Sequence, residues 1–151
     1  MLVPSRKLLF AIEAVLDIAY HAGGEPVQSR EITRRQAIPG RYLEQTLQHL
    51  VRSGLLVGVR GPRGGYRLAR ERRRITVGDV VRVVQSTERA EEGLEELPGS
   101  ALGHRVVRPL WRDLHQEVMD RLDSVTIEDL CHRARNEGIE SETQGAGDFI
   151  I

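Results

Sequence analysis

The stretch VRGPRGGYRLAR, residues 59–70, sets four arginines among three glycines and a proline. Guanidinium groups pair with phosphates and with the edges of bases, and glycine lets a backbone approach closely. A phosphate cradle, a disordered basic linker and the tip of a DNA-reading hairpin would all use this chemistry. A nucleotide-phosphate loop needs a following Gly-Lys-Ser/Thr and a helix, and neither is present. A disordered linker fits poorly, because Leu55, Val57 and Val59 alternate before the knot and Tyr66 and Leu68 after it. The hairpin reading remains, with Gly61, Pro62, Gly64 and Gly65 in the turn. It carries Arg60 and Arg63 to a thin tip suited to a narrow, electronegative minor groove.

A second constellation precedes the knot. Arg41, Gln45, Gln48 and Arg52 recur at helical spacing, with Tyr42 and Glu44 flanking the first turn. Arg and Gln can pair bidentately with base edges, Tyr can donate to phosphate, and Glu can accept from cytosine N4. The plainer alternative is a solvated helix face. Such faces are usually rich in Lys and Glu, whereas this one is rich in Gln, Arg and Tyr.

These side chains need elements to hold them. Leu8, Ile12, Val15, Leu16 and Ala19 predict an amphipathic helix over 5–21, ended by GGEP. Ser29 is the expected N-cap of a short helix over 30–37, and a candidate DNA contact at that helix start; Ile38-Pro39-Gly40 stops the helix. Leu43, Leu47, Leu50 and Val51 predict a third helix ending at Gly54. After the hairpin, Thr76 with Asp79 predicts a capping box opening a helix with Val77, Val80, Val81 and Val84. Residues 88–103, acidic and rich in Gly and Pro, read as a loop. A long helix over 104–123 then carries Val107, Trp111, Leu114, Val118, Leu122 and Val125 near heptad spacing. Pro109 lies in its first turn or kinks it. Thr126 caps a short last helix, and a polar, flexible tail is expected from 138 to a closing Phe149-Ile150-Ile151.

The resulting class is mainly α with a small β-hairpin: a winged helix-turn-helix domain over 1–87, an acidic loop over 88–103, dimerisation helices over 104–137 and a tail over 138–151. The third helix would enter the major groove and the hairpin would be the wing. Composition agrees. The net charge is zero, but residues 1–90 hold 16 Lys+Arg against 8 Asp+Glu, a balance of +8, and residues 91–151 hold 6 against 14, a balance of −8. A basic half suits a polyanion, and an acidic half keeps a dimer stalk off it. No run of apolar residues is long enough to span a membrane and no signal peptide is evident, so a cytoplasmic protein with no membrane partner is expected. One cysteine, Cys131, excludes an intramolecular disulfide and a zinc site built mainly on thiolates. No nucleophile lies at telling distance from a base, so no catalytic residue and no enzyme is predicted.

RYLEQTLQHLVRSGLLVGVRGPRGGYRLAR followed by ITVGDVVRVV resembles the Rrf2 family of bacterial transcription regulators, and LWRDL and DSVTIEDL are similar to the dimerisation region of its IscR-like branch. The likeness covers roughly residues 5–135. It implies a homodimer acting at promoters on a palindromic operator, with Tyr42, Glu44 and Gln45 reading bases and Arg60 entering the minor groove. Cluster-binding members carry three cysteines in the loop before the long helix, and this loop has none. The resemblance therefore leaves three readings. The first is a regulator of iron-sulfur, redox or sulfur metabolism that answers to an effector protein or small ligand. The second is a sensor whose [2Fe-2S] cluster uses atypical ligands, with Cys131, His104 and the loop carboxylates Glu91, Glu92, Glu95 and Glu96 as candidates. The third is an interaction module without DNA. Cys131 is otherwise a small buried hydrophobe, and His21, His49 and His115 read as ordinary helical residues.

Overall fold

The computed structural model describes residues 3–92 and 98–143 of the chain. Helix α1 (Arg6–His21) is capped by the Ser5 hydroxyl, which accepts from the Leu8 N–H at 3.2 Å. Helices α2 (Ser29–Gln36) and α3 (Gly40–Arg52) pack on it, followed by the antiparallel strands β1 (Leu56–Val59) and β2 (Gly65–Leu68). A 3-10 turn at Arg72–Arg74 leads to α4 (Val77–Glu92); α5 (Arg108–Asp123) and α6 (Ile127–Asn136) complete the described elements.

The helical stripes meet in one core. Ala14, Val15 and Ile18 of α1 pack with Leu43, Leu47 and Leu50 of α3, with Ile32, Ile38, Leu55, Leu56 and Ile75, and with Val80 and Val84 of α4. Burying this apolar surface drives the fold, and no single hydrogen bond rivals it. A smaller cluster of Val77, Val81 and Met119, flanked by Leu8, Ile12 and Leu122, seats α5 on α4. The crossing is close at Gly78, where a Cβ would lie 1.9 Å from the Asp123 carboxylate. The capping box predicted at Thr76 is present, and the predicted Thr126 cap is a capping box as well. Thr76 Oγ1 accepts from the Asp79 N–H at 3.0 Å while Asp79 accepts from the Thr76 N–H, and Thr126 and Asp129 repeat the exchange.

Several expectations change. Ser29 does not cap α2 but is its first residue. Gln28 occupies the cap, with its N–H donating to the Glu31 carboxylate at 3.1 Å. Leu55, Val57 and Val59 do not share a buried face, because Leu55 and Leu56 go into the core and Val57 and Val59 face outward. Strand pairing starts at Leu56, three residues after the Ser53 cap, so Leu55 still belongs to the helix-to-strand turn. The acidic segment 88–103 is not all loop: α4 continues to Glu92, and helical structure resumes at Ala101. A π-turn at Gly103–Val107, with the Arg108 N–H reaching the Gly103 carbonyl, directly precedes Pro109. That wider turn accommodates the proline, which lacks an N–H and crowds the preceding turn. The tail differs most, since residues 139–143 dock on α1 and α2. Phe149, Ile150 and Ile151 lie outside the described residues.

Candidate nucleic-acid interface

Amphipathicity sets the face of α3. With Leu43, Thr46, Leu47 and Leu50 buried, Arg41, Tyr42, Glu44, Gln45, Gln48 and Arg52 are all exposed on the other side. None of these six side chains makes a hydrogen bond or ion pair with another described residue, and Tyr42 is 55% exposed. Folding thus leaves a row of donors and acceptors uncommitted. The buried Thr46 hydroxyl is satisfied within the helix, where its Oγ1 donates to the Tyr42 carbonyl at 2.8 Å. The turn between α2 and α3 places Ala37 at φ 53°, the left-handed conformation that closes α2.

The wing pairs Leu56 with Leu68, Val57 with Arg67, Gly58 with Tyr66 and Val59 with Gly65. Its tip requires glycine. Gly61 has φ 112°, and a Cβ at Gly64 would lie 2.2 Å from the Val59 carbonyl. Arg60 and Arg63 are exposed at this tip and unpaired among the described residues. The wing is anchored to the segment before α2: Val27 and Tyr66 exchange backbone hydrogen bonds at 3.0 and 2.8 Å, and Gln28 Nε2 donates to the Pro62 carbonyl at 3.3 Å. An open cleft therefore brings Ser29 together with Arg60, lined also by Gln28, Arg30 and Tyr66. Sequence reasoning missed Gln28 and Arg30. A basic residue beside the predicted cap was the signal for Arg30, but Gln28 has meaning only once the wing folds against it.

The long helix presents a different surface. Val107, Trp111, Leu114 and Val118 are 50%, 51%, 39% and 49% exposed, and Leu122 packs on the small cluster beneath. Leu102, Val106 and Leu110, which the heptad reading did not include, are also exposed, at 73%, 60% and 57%. The π-turn widens the apolar face here by rotating the start of the helix.

Cys131 is fully buried in the main core with Ile127 and Ile75, and burial pushes its thiol pKa up. His104 is exposed in the π-turn, its Nδ1 2.9 Å from an Arg108 nitrogen. Among the described residues no three His, Cys, Asp or Glu side chains are placed to hold a metal. The loop carboxylates Glu91, Glu92, Glu95 and Glu96 fall outside the described side chains. A reactive or ligating cysteine needs an accessible thiolate, and Cys131 is buried, with desolvation outweighing the nearby Arg72. Among the described residues, the donors do not fit an iron-sulfur cluster.

Three helices, a two-stranded wing and a following helix, with an uncommitted polar face on the third, define a winged helix-turn-helix transcription regulator. Residues 4–133 match the Rrf2 family, described as iron-dependent transcriptional regulators. The chain belongs to the Rrf2 family. It is 38% identical over 126 residues to the HTH-type transcriptional regulator IscR of Pectobacterium atrosepticum, covering 82% of this chain and 75% of the relative. With IscR of Vibrio parahaemolyticus the identity is 36% over 141 residues, covering 91% and 82%. Among solved structures, IscR of T. potens superposes with a TM-score of 0.73 at 33% identity, covering 94% of this chain and 95% of that one. CymR of B. subtilis, the global cysteine regulator of that organism, gives 0.68 at 31% identity, covering 88% and 98%. These relatives are regulators, and this chain is a transcription regulator rather than an enzyme. No described helix is long and apolar enough to cross a membrane.

Proposed function

We propose that the chain is a homodimeric, sequence-specific DNA-binding regulator whose α3 enters the major groove of a palindromic operator. The carrying observation is the α3 face, six exposed side chains capable of base and phosphate contact with no partner within the fold. Tyr42, Glu44, Gln45 and Gln48 read bases, Arg41 holds phosphate, and Arg60 and Arg63 enter the minor groove from the wing, with Ser29 at the neighbouring helix start. The apolar face of α5 pairs with its copy, centred on Val107, Trp111, Leu114 and Val118 with Leu122 at its edge. Two recognition helices so held bind half-sites about 34 Å apart. Targets lie in iron-sulfur, redox or sulfur metabolism, and the protein works in the cytoplasm. The signal comes through an effector protein or small ligand, a reading supported by the lack of a cluster-binding donor set among the described residues.

The test is binding to selected duplex DNA across a salt series. Affinity is expected to fall steeply with salt, and Arg60→Ala is expected to weaken binding and flatten the slope by about one unit. Salt-independent binding, or none to any genomic fragment, contradicts the reading.

A further inference from the structure

Residues 139–143 were expected to be a flexible tail, yet they form a strap across the ends of α1 and α2. Tyr20 Oη donates to the Ile139 carbonyl, the Glu142 N–H donates to His21 Nδ1 at 3.1 Å, and Thr143 Oγ1 donates to the His21 carbonyl at 2.8 Å. Ser141, within the strap, is itself buried. The Glu142 carboxylate accepts from Arg34 at 2.8 Å and from Arg35 at 2.6 Å. Arg35 in turn donates twice to Asp17, at 2.9 and 2.8 Å, and Gln36 adds a third bond to the same carboxylate at 2.8 Å. The Asp17 side chain is completely buried. A buried carboxylate is tolerated when its lone pairs are filled by a rigid, hydrogen-bonded cation. The chain Asp17–Arg35–Glu142 therefore ties α1, the last turn of α2 and the strap into one charged network.

Arg35 and Gln36 directly precede Ala37, whose left-handed backbone turns the chain into α3. Whatever fixes the end of α2 also fixes the angle at which the recognition helix leaves it. We propose that the strap, through Glu142 and His21, is a positioning element for the helix-turn-helix: docked, it holds the α2–α3 turn in the DNA-binding geometry; released, it lets that turn open. The proposal rests on the DNA-binding reading for its effect on affinity, but the docking itself does not.

The charged and titratable groups around His21 are Asp17 and Tyr20 on α1, Arg34 and Arg35 on α2, and Glu142 on the strap. Burial first, then Arg35, holds the His21 pKa below its ordinary value. The docked state thus binds fewer protons at His21 than the released state. Docking is complete above the ordinary histidine pKa, about 6.5, and weakens as pH falls from there toward the lowered value. Protonation at Nδ1 would replace the acceptor facing the Glu142 N–H with a donor.

Gly23 supplies a selective way to lift the strap. A Cβ there would lie 1.7 Å from Thr143 Cγ2, while Gly23 itself has no left-handed φ that would strain an alanine. The experiment is hydrogen exchange of the 33–38 and 139–143 segments in the full chain from pH 8 to 5.5, paired with DNA titrations. For Gly23→Ala and Glu142→Gln, exchange of both segments is expected to rise at pH 7.5, and DNA affinity to fall roughly fivefold. Wild type is expected to lose protection of both segments as pH falls below about 6.5, and His21→Asn, which keeps an acceptor without titrating, to flatten that profile. Unchanged exchange at 33–38 when 139–143 opens would overturn the positioning role. A pH profile identical in wild type and His21→Asn would remove His21 from it. Altered exchange with wild-type affinity would leave the strap docked but unconnected to DNA, whereas absence of DNA binding by every variant and by wild type would refute the DNA reading instead.

Discussion

Helices α3 and α5 each turn an unsatisfied face to solvent, but of opposite kinds. The α3 face is polar: Arg41, Tyr42, Glu44, Gln45, Gln48 and Arg52 are wetted at no great cost, and none is tied down within the fold. The α5 face is apolar, with Leu110, Trp111, Leu114 and Val118, and Val106 of the preceding π-turn, left in water. Exposed polar groups can wait for a partner, since water satisfies them meanwhile. An apolar face of this extent marks a surface that is covered when the protein works. The contrast follows the charge division along the chain, +8 over residues 1–90 and −8 over residues 91–151. One half is suited to a polyanion, the other to a copy of itself.

The comparison breaks first at α5. Trp111→Glu combined with Leu114→Glu is expected to give a folded monomer in sedimentation velocity and to lower operator affinity at least about a hundredfold, because each half-site is then bound alone. A dimer that survives both charges would place the interface elsewhere. Next comes α3. Gln45→Ala is expected to cost about 1–3 kcal/mol of operator binding and to relax preference at one base pair, whereas Arg41→Ala weakens all sequences alike. Equal losses on specific and random DNA for Gln45→Ala would remove it from base reading. In the core, Cys131→Ser places a hydroxyl among Ile127 and Ile75 and is expected to lower unfolding stability by about 1–3 kcal/mol without changing DNA affinity. Loss of DNA response with intact stability would return Cys131 to a sensing role. The smallest effect belongs to Ala37 at φ 53°. Ala37→Gly is expected to raise stability in denaturant melts by up to about 1 kcal/mol; a loss of stability would show that the Ala37 methyl is worth more than its backbone strain costs.

Much of this was legible in the sequence for definite reasons. The α3 leucines at helical spacing set which side of that helix faces out, so its exposed polar side chains were legible from the pattern alone. The wing arginines were legible because Gly61 and Gly64 leave few alternatives to a tight turn. Periodicity failed where local pattern and tertiary packing disagree. Leu55 follows the strand alternation of Val57 and Val59 but is claimed by the core, and the loop expected from residue 88 begins inside α4, which continues to Glu92. The strap was illegible for another reason. IESET carries no apolar period, and its docking depends on Asp17, His21 and Arg35, over a hundred residues earlier. Gln28 in the wing cleft is the same case at shorter range.

The central claim is that two copies, paired through α5, place two α3 helices on one duplex. The most direct measurement is selection of binding sites from randomised duplex DNA by the purified full chain, followed by stoichiometry on the enriched sequence. The account predicts a palindrome with half-sites about one helical turn apart, two chains bound per duplex, and affinity that falls steeply with salt. Enrichment of no sequence, or of a single non-palindromic half-site bound by one chain, would contradict it.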